Sequence, residues 1–162
     1  MSFLPHATPA PVPRTQDSKR IALFYAIILM AFVITQLFTF ESFLQLMVSF
    51  GLPGGVQLTY LLTALLVACE VLALPFLLRM PLSRAFRWVS MGAGWVVALL
   101  WIKVTLWVVF SDIPAENIGF LGTIVDIMPG WWAVFVSSAL GILAAWASWG
   151  MWPTQKGSKR KK

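Results

Sequence analysis

Between Val56 and Trp107 the chain carries two long apolar runs, VQLTYLLTALLVACEVLALPFLL and WVSMGAGWVVALLWIKVTLW, joined by the short basic segment RMPLSRAFR. Each run is about 20 residues, enough to cross the hydrocarbon core of a bilayer as a helix. Lipid offers no hydrogen bonds to the backbone, so such runs fold as helices that satisfy their own amide groups. Each run also places one ionisable residue well inside the apolar stretch, Glu70 in the first and Lys103 in the second.

Two further runs flank this hairpin, so four spans are expected: Ile21 to Phe40, Val56 to Leu78, Trp88 to Phe110 and Trp131 to Trp152. The predicted fold is all-α, an integral membrane four-helix bundle. Residues 1–18, with four prolines, read as a disordered cytoplasmic tail, residues 19–152 as the membrane domain, and residues 153–162 as a basic tail. The first apolar run is too long for a cleaved signal sequence and reads as a retained span. Phe40, Phe43, Leu44, Met47 and Val48 recur at helical spacing opposite Glu41, Ser42, Gln45 and Ser49. Either the first helix projects beyond the membrane or a short amphipathic helix follows it, ending at Gly51 and Pro53. Phe120, Leu121, Ile124, Val125 and Met128 predict a second short helix, interfacial or partly re-entrant, within Pro114 to Gly130. Pro75 is expected to kink the second span or end it early, and Ser83 to cap the third.

Composition supports this class: 59% of the 162 residues are hydrophobic and only 11% are charged, against about 25% charged in soluble domains. The net charge of +6 is concentrated. Basic residues cluster at Arg14, Lys19 and Arg20, at Arg79, Arg84 and Arg87, and at Lys156, Lys159, Arg160, Lys161 and Lys162. Four spans put all three clusters on one side and Glu41, Asp112, Glu116 and Asp126 on the other. The positive-inside rule then predicts both termini in the cytoplasm. Trp88, Trp149 and Trp152 would mark the inner boundary, Trp107, Trp131 and Trp132 the outer one. Arg79, Arg84, Arg87, Lys159, Arg160, Lys161 and Lys162 are therefore expected to contact the membrane surface, which explains the basic charge better than nucleic acid does. Cys69 and His6 are the only cysteine and histidine. That excludes an intramolecular disulfide and argues against haem or metal ligation. No metal is expected, and Cys69 is expected to be an inert buried thiol.

Glu70 and Lys103 are the residues that could carry chemistry. Charges at this depth are costly and usually paired or functional. Their helices are antiparallel neighbours, and their heights differ by about 10 Å at 1.5 Å per residue. Side chains lean toward the helix N-terminus, so the two lean toward each other and a polar pair is expected if their faces match. Glu70 is either a proton-accepting or ligand-binding carboxyl group, or a buried clasp to Lys103, Thr63, Thr105 or a backbone carbonyl. Gln36, Thr63 and Thr105 could extend a polar core. Ser90, Gly94 and Ala98, and Ser137, Gly141 and Ala145, form small-residue stripes that let helices approach closely.

The segment from Glu70 through Val71–Leu78, Arg79 and Arg84–Arg87 resembles the DoxX-like and MauE-like small bacterial membrane proteins. That resemblance implies a four-helix bundle in a bacterial cytoplasmic membrane. It also implies a link to quinone-dependent sulfur oxidation or to maturation of periplasmic disulfide-containing enzymes. The chain departs from a thiol-redox pattern, since it has Cys69 alone. The leading expectation is an accessory or assembly subunit with no catalysis of its own and no cofactor. Its partners would be the lipid bilayer and other membrane proteins or further copies of itself. The alternatives are a quinone-linked oxidoreductase subunit using Glu70 for proton exchange, and a small proton-coupled transporter.

Overall fold

The structure, a computed structural model, describes residues 8, 10 and 13–152. Five helices account for the regular structure among them: α1 (Gln16–Phe38), α2 (Phe40–Ser49), α3 (Gly55–Leu77), α4 (Arg84–Phe110) and α5 (Trp131–Gly150). All but α2 are long and apolar enough to cross a membrane. The chain is a multi-pass membrane protein built on a four-helix bundle. Its outer surface carries Phe24, Ile34, Leu61, Leu99, Phe135 and Ile142, each about half exposed or more, as hydrocarbon solvent permits and water does not.

Helix α3 packs against α1 and α4, and α5 packs against the same two. The long helices therefore close a ring in the order α1, α3, α4, α5. The start of α1, the α3–α4 turn and the end of α5 meet at one end, where Arg14 N donates to Gly150 O at 3.0 Å. The basic residues of the described chain, Lys103 apart, gather there. Glu41, Asp112, Glu116 and Asp126 belong to the connections at the opposite end.

Helix α1 begins earlier than composition suggests. Thr15 is extended, and its Oγ1 accepts from Ser18 N at 3.1 Å. This cap, with Asp17 in the first turn, draws Gln16–Ser18 out of the expected tail and into the helix. Thr8 is ordered as well, pairing with Leu82 across an antiparallel bridge. His6, Lys156, Lys159, Arg160, Lys161 and Lys162 lie outside the described residues.

Of the two possibilities after the first span, a separate helix is found. Thr35 Oγ1 donates to Ala31 O, and Thr39 Oγ1 donates to Thr35 O; such back-bonding bends a helix. Helix α2 then turns its apolar face inward and buries Phe43 and Met47. Helix α3 contains Pro75. Ser90 Oγ on α4 accepts from Phe76 N at 3.0 Å and donates to Leu72 O, bridging the turn that proline loosens. Arg79 and Met80 then return to Phe76 O and Pro75 O, with Arg79 left-handed at φ 58, the Schellman ending of a helix. Ser83 caps α4 as expected, its Oγ accepting from Phe86 N at 3.3 Å.

The second short helix is not present. Between α4 and α5 the chain forms turns, because Gly119 and Gly122 take φ 89 and φ 59 and interrupt any helical repeat. Asn117 organises this loop: its Nδ2 donates to Gly122 O, and its Oδ1 accepts from Gly119 N and Ile127 N. Ile118 and Phe120 plug into the bundle, whereas Ile124, Val125 and Met128 remain exposed. Gly122 presses on Thr39 Oγ1 and Thr35 O, where a Cβ has no room.

Candidate functional site: a sealed carboxyl cluster

Glu70 on α3, Gln36 on α1 and Trp101 on α4 converge in the core, and each is 0% exposed. Glu70 Oε1 accepts from Trp101 Nε1 at 3.1 Å and from Gln36 Nε2 at 3.5 Å. Gln36 Nε2 also donates to Phe120 O at 3.1 Å. One carboxyl oxygen thus gathers two helices onto α3, and the amide of Gln36 ties in the α4–α5 loop. Phe32, Trp101 and Phe120 enclose the polar atoms. Phe32 stacks on Phe120 at 5.5 Å, and Trp101 lies 4.6 Å from the Phe120 ring.

Two polar atoms of this cluster have no hydrogen-bond partner among the described residues, Glu70 Oε2 and Gln36 Oε1. Buried polar groups are nearly always paired, so these two are the chemically open positions of the core. A carboxyl group so placed can hold a proton on Oε2, or meet a polar group that enters beside it. Tyr25 lies deeper toward the basic end and donates to Gly94 O at 2.9 Å.

The expected Glu70–Lys103 pair does not form. Trp101, not Lys103, faces Glu70, and two residues further along a helix is a rotation of about 200°. Lys103 is exposed and has no ion pair or hydrogen bond among the described residues. It stands at the rim of an apolar groove of about 600 Å³ between α3 and α4, floored by Met47, Leu52, Leu66 and Val104. Trp107 Nε1 pins the α2–α3 connection over the outer end of that groove through Phe50 O, at 3.0 Å.

Of the expected polar core, Gln36 joins Glu70, whereas Thr63 and Thr105 do not. Both threonines are fully buried. Thr63 donates to Thr59 O at 2.8 Å, and Thr105 to Trp101 O at 2.8 Å with Ser137 Oγ 3.3 Å away. Cys69 is buried beside the cluster. Among the described residues no group of His, Cys, Asp and Glu is arranged to hold a metal.

The basic residues separate into different roles. Arg84 is exposed at the bundle end, and Arg79 is partly buried. Arg87, expected at the membrane surface, is instead 5% exposed. Its Nη2 donates to Thr8 O and Thr8 Oγ1, both at 3.0 Å, and to Leu82 O. Thr8 thus lies against the α3–α4 turn, held there by Arg87 and Leu82.

Neither Trp101 nor Phe120 was marked as a site residue by the sequence; Phe120 entered only as part of the apolar repeat of the outer loop. The signal for Trp101 was present: Gly94, Ala98, Trp101 and Thr105 follow one helical stripe, the buried one. Phe120 reaches the site from a loop whose path depends on contacts far along the chain, and no local pattern marks it.

No family model matches the chain, and neither a curated protein nor a solved structure does.

Proposed function

We propose that this chain is a non-catalytic accessory or assembly subunit of a larger membrane system, akin to the DoxX-like proteins, in a bacterial cytoplasmic membrane. The observation that carries this reading is the sealing of the Glu70 cluster: Glu70, Gln36 and Trp101 have no exposed surface, so the most polar part of the core serves to join helices. Partners would then be met through the membrane-facing surfaces and the loops. The separation of basic and acidic ends supports an orientation with both termini cytoplasmic. In intact cells, a thiol reagent confined to the outside should label Glu116→Cys and leave Arg84→Cys unlabelled; the reverse pattern would invert the orientation.

Native mass spectrometry of protein gently extracted from its own membrane tests the assembly role. A defined complex with another membrane protein is expected. Recovery of the lone chain carrying only lipid would overturn it.

The two unpartnered oxygens, Glu70 Oε2 and Gln36 Oε1, favour a second reading, a membrane subunit of a quinone-linked oxidoreductase. Glu70 would exchange a proton with a quinol at Oε2 after Phe120 and its loop swing away. Copurified quinone, lost in Glu70→Gln, would favour this reading over the first.

A further inference from the structure

The basic end of the bundle holds a cavity of about 380 Å³ walled by Pro13, Arg14, Thr15, Gln16, Lys19 and Arg79. Half of these residues are cations and none is acidic. The chain has six acidic residues, Asp17, Glu41, Glu70, Asp112, Glu116 and Asp126. Asp17 faces Arg20 at 3.9 Å, Glu70 is enclosed in the core, and the other four stand at the opposite end. The residues outside the described part include no Asp or Glu. Asp17 is therefore the one carboxylate side chain near Arg14, Lys19 and Arg79 among the described residues, and it is exposed and already faces Arg20.

The three cations are also positioned. The Arg14 guanidinium lies over the Trp149 ring, 5.1 Å from its centroid. Arg79 occupies the left-handed position after α3, at φ 58, where glycine would fit without strain. Its Nε is enclosed and has no hydrogen-bond partner among the described residues. Lys19 extends from the first turn of α1. That turn adds the positive end of a long helix, with only one of its leading N–H groups, that of Ser18, taken by the Thr15 side chain.

We propose that this cavity binds the phosphate group of one anionic membrane lipid. Two guanidinium groups and an ammonium are the donors that phosphate oxygens accept most strongly. Arg14 of the cavity wall lies over Trp149, and Trp88 and Trp152 pack together at the same end, 5.2 Å apart. Such aromatic girdles sit at headgroup level, so lipid phosphate is the anion already present at that depth. Five of the six wall residues, all but Pro13, carry polar side chains, which suits a headgroup and leaves the acyl chains outside along α1 and α5.

The test uses the full chain in nanodiscs of phosphatidylcholine doped with a minor fraction of phosphatidylglycerol, read by native mass spectrometry. One phosphatidylglycerol retained per chain is expected. Arg14→Gln with Lys19→Gln, both at exposed positions, should lower that retention about tenfold or more. Arg84→Gln removes one charge at the same end but outside the cavity, against two in the double variant, and should change retention by less than about twofold. Arg79→Gly should lower retention while holding or raising the thermal midpoint, a combination that a purely structural arginine would not produce. Equal loss in Arg84→Gln would show diffuse attraction and overturn the site, as would equal retention of phosphatidylcholine. Displacement of the lipid by inorganic phosphate would identify a site for the free anion and overturn the lipid assignment.

Discussion

Both donors that reach Glu70, Trp101 Nε1 and Gln36 Nε2, converge on Oε1, so the carboxyl group links α1, α3 and α4 through a single atom. Removing a donor and removing the acceptor should therefore differ. Trp101→Phe deletes the shorter bond and some volume, and should destabilise the bundle by about 1–3 kcal/mol in a reversible unfolding titration. Glu70→Gln keeps an oxygen for both donors and should change stability by less than about 1 kcal/mol. Glu70→Ala leaves Trp101 Nε1 without an acceptor and opens a void, so a loss of about 2–5 kcal/mol is expected. If Glu70→Gln proved as costly as Glu70→Ala, the ionised carboxylate would be the essential form. Glu70 and Gln36 were legible because polar residues inside apolar runs are few. Lys103 was equally conspicuous but faces away from the cluster. Depth along the helix could be counted from the sequence. The facing direction depended on which stripe packed, and Trp101 belonged to that stripe.

Pro75 in α3 and Ser90 in α4 form a matched pair between neighbouring helices. The Ser90 hydroxyl satisfies Phe76 N and Leu72 O beside the proline. Ser90→Ala should cost about 1–2 kcal/mol. In Pro75→Ala, where the helix can close its own ladder, the same change should cost less. A double-mutant cycle measures the difference, and strict additivity would dissolve the pairing. The long helices and the Ser83 cap were readable because length, apolarity and capping are local properties. The loop from Ser111 to Gly130 was not. Its apolar residues repeat at helical spacing, yet the backbone follows the left-handed glycines Gly119 and Gly122 and the Asn117 hydrogen bonds. Those bonds and the insertion of Phe120 against Gln36 are set by tertiary contacts, which outweigh a weak periodicity.

Ring closure brings the two outermost helices together where Gly150 meets Ser18. A Cβ on Gly150 would collide with the Ser18 side chain. Gly150→Val should loosen the α1–α5 contact and lower stability by about 1–3 kcal/mol. Ser18→Gly in that background should restore much of it, again read by unfolding in a bilayer mimic. A failure of Ser18→Gly to rescue would place the damage elsewhere. This seam also fixes an order of events during synthesis. The face of α1 that carries Ser18 and Ala22 leaves the ribosome well before its neighbour α5 is made. Until α5 is inserted, α1, α3 and α4 form a trough with one open side. Whatever attends insertion, whether lipid, an insertase or a second copy of the chain, meets that side before α5 displaces it.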